Sequence, residues 1–535
     1  MQRPLRFLLC LLAGLAAAGV RGAEHVAWGD QGDGTFRNPI LPADFSDLDA
    51  VRVGADYYAI SSTLHQSPGM VVLHSRDLVN WQIVGHVVAD VTALSPEMNW
   101  DRMNLYGRGV WAGAIRHHAG RFWVYFGTPD EGYFMSTATN AAGPWAPVAH
   151  VMKQAGWDDC CPFWDDDGQG YLIGTDFKHD CQIHLFKLTP DGRGLVPGYD
   201  VVLHQSHHRE ANKLYKWNGE YFHFFSEVNR EGRVPMIGRA KRIEGPYEYR
   251  QLLHVDPKVD REPNQGAILQ TEQGDWWFLT HQGTGGYEGR AMCLIPVTWR
   301  DGWPLVGEIG PDGIGRMPWQ LRKPLPGSAR VRLQTDDDFA APALGVQWEW
   351  NHQPRAGMWS LTERPGWLRL RAFPARARGQ LLRTGNVLTQ RLIGTNGGEA
   401  TVTLDVGGLA DGQVAGLAQY SRTYAWLGVA QSGGVRRIVW CLDGARTDGP
   451  VLEGHVVHLK TILADDGTAT WAWGTDGTNF ASFGGRYRLA WGNYRGSRFG
   501  LFTCNDEAEA GFVDFDAFRY RFPEPGGAGA GAAAR

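Results

Sequence analysis

The chain has 535 residues, 52 Lys and Arg against 57 Asp and Glu, and a formal charge of −5, which argues against a nucleic acid partner. That length holds two to four domains, each with its own core. The 23 Trp, 23 Phe, 17 Tyr and 70 Gly favour many short strands joined by tight turns.

The first residues, "MQRPLRFLLCLLAGLAAAGVRGA", have a basic start, an apolar run from Phe7 to Val20 and small residues after it. They predict a cleaved signal peptide over residues 1–22, too short to remain as a membrane anchor. Cys10 follows Leu9 rather than a small residue, which argues against a lipoprotein site. Loss of this leader removes three Arg, leaving 49 basic residues against 57 acids and a charge of −8. The expected location is secreted or periplasmic.

Five hairpins follow in chain order. "DAVRVGADYYAISST" starts at Asp49, "WAGAIRHHAGRFWVYFG" at Trp111 and "CPFWDDDGQGYLIGTD" at Cys161. "ANKLYKWNGEYFHFFSE" starts at Ala211 and "GAILQTEQGDWWFLTHQ" at Gly266. Each is an alternating apolar run, a Gly-containing turn and a second strand that opens on an aromatic: Tyr57, Phe122, Tyr171, Tyr221 and Trp276. The spacings of 65, 49, 50 and 55 leave room for four strands per unit. Five such units over residues 31–325 predict a five-bladed β-propeller in an all-β protein.

After a Pro-rich crossing near 317–330, short alternating strands such as "EATVTLDVGG" and "VRRIVWCLDG" continue to Phe522. They predict a β-sandwich over residues 333–522. The last stretch, "PEPGGAGAGAAAR", residues 523–535, has nothing to bury and is expected to be disordered.

Propeller geometry brings the first strand of every blade to a central axis, so residues early in those strands meet at one mouth. Ten to twelve residues before the aromatic starts stand Asp47, Trp111, Asp159, Glu210 and Gln265. Asp and Glu together make up about one residue in ten of an average chain, so three acids at five matched positions mark a site. Glycoside cleavage uses one carboxyl to protonate the leaving oxygen and a second carboxylate beyond the anomeric carbon. A third negative charge keeps the acid protonated. Glu has the longer reach, so Glu210 is the expected general acid, with Asp47 and Asp159 as base and modulator.

These stretches resemble glycoside hydrolase family 43, the β-xylosidase and α-L-arabinofuranosidase group. "RNPILPADFSDLDAVRVG", residues 37–54, is similar to that family's opening, although Ser46-Asp47-Leu48 stands where a Pro-Asp-Pro is usual. The resemblance implies that Asp47 is the general base. "GWDDCCPFWDDDG", residues 156–168, and "EANKLYKWNG", residues 210–219, are similar to the stretches that carry the modulating Asp and the general acid. Those roles pass to Asp159 and Glu210. The match also implies substrate contacts for Trp111 and Arg290, and a His281 near the axis that touches a bound calcium through waters in some relatives. Gln265, in register with the acids, is expected to contact substrate too. "THQGTGGYEGR" departs from the "FQDRGxxGR" form of close relatives, so it carries no sugar preference over. The second half resembles the concanavalin-like jelly-roll of many family 43 β-xylosidases, which either lends a loop to the pocket or only packs.

The function implied is exo-acting, inverting release of terminal β-D-xylosyl or α-L-arabinofuranosyl units from hemicellulose oligosaccharides. Rival readings are an arabinan or galactan hydrolase, a retaining fructan hydrolase and a non-catalytic carbohydrate-binding protein. The partner is an oligosaccharide or polysaccharide. No cofactor is required, structural calcium is an option, and the oligomeric state stays open. Six Cys scattered past the leader are expected as buried free thiols, with Cys441 and Cys504 as one candidate disulfide. Asp165, Asp166 and Asp167 are expected to be a hairpin turn, and His204, His207 and His208 an ordinary loop rather than a metal site.

Overall fold

A computed structural model describes residues 29–205, 208–256, 263–283, 286–325, 330–331, 333–394 and 397–522. The leader, the tail and His207 lie outside the described residues.

Blade one comprises Asp49–Val53, Asp56–Ser61, Gly69–Ser75 and Trp81–Val88. Blade two comprises Gly113–His118, Arg121–Thr128, Gly132–Ala138 and Ala149–Met152. Blade three runs from Trp157–Trp164 through Gly170–Asp176 and Gln182–Leu188 to Leu195–His204. Blade four runs from Glu210–Trp217 through Glu220–Val228 and Arg233–Ala240 to Glu248–Gln251. Blade five uses Gly266–Gln270, Trp276–Gly283 and Arg290–Arg300, and an early strand, Leu41–Asp44, pairs antiparallel with Arg290–Arg300. The start of the propeller therefore closes its last blade. The inner strands of blades five, one, two, three and four lie side by side in that order around the axis.

Local chemistry explains the hairpins. Ala119 and Gly120 in blade two, and Asn218 and Gly219 in blade four, all have positive φ, the two-residue turn whose twist matches paired strands. Alternation then feeds two cores from one strand. Phe122, Val124 and Phe126 pack towards blade one, while Trp123 and Tyr125 pack towards blade three. Each such side chain contributes about 1.5–3 kcal/mol on burial. Trp276 and Trp277 are likewise between blades rather than at the mouth.

The second domain is a sandwich of two antiparallel sheets, to which it supplies eight and seven strands. Its edge strand Glu349–Asn351 pairs with Gln66–Ser67 of the propeller, so one sheet spans both domains. A single apolar cluster runs from Leu48, Tyr57 and Trp81 into Trp350, Leu427 and Phe499. The domains share a core.

All six described cysteines are free and buried, which corrects the Cys441–Cys504 pairing. Their strands, Val435–Leu442 and Arg498–Asn505, are separated by two others in one sheet, hence by about 14 Å at normal strand spacing. A disulfide needs Cα atoms within about 7 Å.

Candidate active site

A cleft of about 780 Å³ opens at the propeller mouth. Asp47, Trp111, Asp159, Glu210, Gln265, His281 and Arg290 all line it, so every residue expected at the site from the sequence is brought to one place. Backbone conformation at the start of the inner strands is what aims the acids. Asp47 and Asp159 have φ of 57° and 53°, and Ala211, next to Glu210, has φ of 69°. Pairing registers slip between Asp158 and Cys161 and between Glu210 and Lys213. Such bulges re-aim side chains, and here they turn carboxyls into the cleft.

Asp47 is clamped. Arg290 Nη1 lies 2.6 Å from Oδ1, and the Ser62 hydroxyl donates to Oδ2 at 2.5 Å. The Asp47 backbone N–H donates to His281 Nδ1 at 3.0 Å. Burial alone would push this carboxyl up, but Arg290, His281, Ser62 and Arg495 outweigh it and hold Asp47 below the usual range. Arg290 thus forms an ion pair between blade five and the Asp47 segment. Its guanidinium also sits 5.7 Å from the Trp491 ring centroid.

Asp159 and Glu210 sit in the opposite field. Asp159 is 4 % exposed and accepts a hydrogen bond from Gln265 Nε2 at 3.0 Å. Burial, the neighbouring Glu210 and Asp47 push its carboxyl up to about 7 against Lys213 and the Ala211 N–H. Burial also raises Glu210, over the opposing pull of Arg233 and Arg290, and Asp47 adds to the rise. Arg233 Nη1 lies 3.1 Å from Glu210 Oε1, and the Glu210 side chain stays 32 % exposed in the cleft.

Trp111 donates Nε1–H to the Gly107 carbonyl at 3.0 Å, which fixes its ring. Its neighbour comes from the sandwich: Tyr494 stands edge-to-face at 6.1 Å and lines the same cleft. The second domain therefore lends a loop to the site. No sequence signal pointed to Tyr494, because the contact joins residues almost 400 positions apart. Arg233, Arg108, Phe177 and Lys178 at the rim were missed too, since their blade positions lie outside the inner strands. Asp158 was legible only as the neighbour of Asp159. It is buried, and burial with Asp159, Asp47 and Glu210 nearby pushes it well above the carboxylate range.

Among the described residues no group of three or more His, Cys, Asp or Glu is arranged to hold a metal. His281 directs Nδ1 at the Asp47 N–H. His204 stacks on Tyr249 at 4.3 Å, and burial with Arg209 nearby brings it down to about 4. Asp165 closes its hairpin and accepts hydrogen bonds from Lys216 and Tyr221.

The family models for glycosyl hydrolases family 43 and for the β-xylosidase C-terminal concanavalin A-like domain match residues 36–304 and 336–521. A β-xylosidase of Formosa agariphila is 35 % identical over 94 % of this chain and 93 % of its own. A non-reducing-end α-L-arabinofuranosidase of Bacteroides ovatus is 32 % identical over 68 % of each. Among solved structures, a variant of a family 43 protein from Bacillus licheniformis superposes with a TM-score of 0.79 at 25 % identity, covering 91 % of this chain and 100 % of that one. A β-propeller with a carboxyl-lined mouth, joined to a sandwich of this type, places the chain in glycosyl hydrolase family 43, and the protein is a glycosidase.

Proposed function

We propose that this glycosidase is exo-acting and inverting, and that it removes terminal β-D-xylosyl or α-L-arabinofuranosyl units from hemicellulose-derived oligosaccharides. The observation that carries the proposal is the split between two carboxyls in one cleft: Asp47 held ionised, Glu210 biased towards its protonated form. That split is what an acid and base pair requires. Asp47 then takes a proton from water as the water attacks the anomeric carbon, while Glu210 protonates the departing oxygen. Asp159, less exposed and bonded to Gln265, neighbours Glu210 rather than the leaving group; two neighbouring carboxyls do not both ionise readily, so the pair retains a proton in the cleft. Trp111 and Tyr494 bound the rim, which supports end-on binding of a chain terminus. The names of the relatives support xylose and arabinose as the sugars. The chemistry assigned to the carboxyls draws on no metal. The charge pattern of residues 1–22 supports export, and no helix among the described residues is long and apolar enough to cross a membrane.

The test is a panel of aryl and natural glycosides with Glu210→Ala. General acid catalysis contributes about 10²–10⁴-fold. The variant is expected to lose that much on xylo-oligosaccharides and far less on aryl glycosides with good leaving groups. Equal losses on both would refute the acid role. Proton NMR of the first-formed anomer reads stereochemistry directly, and retention would refute inversion.

A further inference from the structure

Asp47 is held at both carboxylate oxygens, and both holders are themselves held. Arg290, on Oδ1, donates its backbone N–H to Asp44 Oδ1 at 3.0 Å. Ser62, on Oδ2, offers its backbone carbonyl to Arg495 Nη2. The other nitrogen of that guanidinium, Nη1, lies 3.1 Å from Asp44 Oδ2. A closed ring results: Asp47, Arg290, Asp44, Arg495, Ser62 and back to Asp47.

Arg495 comes from the sandwich, one residue after Tyr494, and is 2 % exposed. Its loop is pinned at several points. Gly492 and Arg495 exchange backbone hydrogen bonds, and Ser497 N–H donates to the Tyr287 carbonyl at 2.7 Å. Gly496 has no space for a side chain, since a Cβ there would lie 2.7 Å from the Tyr287 carbonyl oxygen. A planar fork with two separate donors is what joins a carboxylate and a carbonyl at once, and an ammonium cannot reproduce it at one fixed position.

We infer that Arg495 is a positioning residue for Asp47, through which the β-sandwich completes the site that activates water. Rigid support matters because a misplacement of about 1 Å in a reacting group can cost roughly 10²-fold in rate. The inference rests on the reading of Asp47 as base. Charged or titratable groups facing Asp47 are Arg290 and His281 from blade five, Arg495 from the sandwich, Glu210 from blade four, and Asp158 and Asp159 from blade three. Arg495 is one of the cations that favour its ionised form, so removing Arg495 moves the acid limb of the kcat/KM profile to higher pH.

The experiment uses the full-length enzyme with an aryl xyloside and an aryl arabinofuranoside across pH. Arg495→Met is expected to lower kcat by about 10–10²-fold, to change KM far less, and to move the acid limb to higher pH. Arg495→Lys keeps the charge and loses the fork, so it should lower kcat with a smaller move of the limb; it also serves if the Met variant does not fold. Arg383→Ala removes a different contact between the domains, the bond from Arg383 Nη1 to the Met103 carbonyl, and should leave the limb in place. A folded Arg495 variant with kcat within about twofold of the parent and an unmoved limb overturns the inference. Asp47→Asn separates the two ideas: if it keeps activity the base assignment fails, and if it is inactive while Arg495 variants behave as the parent, only the positioning role fails.

Discussion

Glu210 is placed between two demands. To act as an acid it must hold a proton near neutrality, and burial supplies that bias; yet Arg233 lies 3.1 Å away and favours the carboxylate. Arg233 also spans to the His208 carbonyl and to Ser226 Oγ, both at 3.3 Å, so its position is fixed by more than the ion pair. Its effect is to set how far up the Glu210 carboxyl goes. A group whose ionisation ends activity at high pH reports as the basic limb of the rate profile. Removing the cation raises the Glu210 carboxyl further, so Arg233→Met should move the basic limb of kcat/KM to higher pH. An unmoved or acid-shifted limb, measured on an aryl glycoside over the full pH range, would show that Arg233 does not tune the acid.

At the scale of the strand, one glycine makes room for the site. Gly127 lies where blade two meets the bulged start of blade three, and a Cβ there would stand 2.1 Å from Asp158 Oδ1 and 2.9 Å from Asp158 Cα. The second of these is backbone and cannot swing aside. Gly127→Ala should therefore push the 158–159 bulge out of register, at a cost of about 1–3 kcal/mol for overpacking, seen as a lower urea midpoint together with reduced activity. A variant with unchanged stability and rate would mean that the bulge yields freely. The same strand scale sets what could be read from the sequence. The hairpins were legible because turn chemistry and aromatic alternation are local, and counting back from Tyr57, Tyr171 and Tyr221 reached Asp47, Asp159 and Glu210. The left-handed conformations of Asp47, Asp159 and Ala211 were not legible, because nothing in those residue types requires them. Nor were the pairing of Leu41–Asp44 with blade five, the addition of Gln66–Ser67 to the sandwich, or the placing of Tyr494 at the mouth and of Arg495 beneath it against Asp44 and Ser62. Those contacts join distant segments, and single-chain patterning carries no record of them.

Over the whole molecule, the seam between the two domains carries a buried ionic cluster beside the shared sheet and core. Glu349, on the strand that pairs with Gln66–Ser67, is fully buried and lies 2.8 Å from Arg391 Nη1 and 2.8 Å from Arg498 Nη1. His86 of blade one reaches the same carboxylate at 3.2 Å. Burial would raise Glu349, but Arg391 and Arg498, with His86, hold it well below the usual range. A carboxyl depressed in the folded state adds stability that is present above its unfolded pKa and is lost as pH falls through the folded value. Removing one partner of a buried pair leaves charge uncompensated and costs about 3–5 kcal/mol. Glu349→Gln keeps the shape and strands two buried guanidinium groups, so at pH 7 it should destabilise the chain by about that amount in urea unfolding. The gap between variant and parent should narrow as pH falls below the ordinary carboxylate range, because the parent then loses the same interaction. The sheet and core run through both domains, so propeller and sandwich tryptophans should report one transition in the parent. A loss below about 1 kcal/mol at pH 7, or a gap that does not change with acid, would show that the sheet and the apolar core hold the domains together without this ionic cluster.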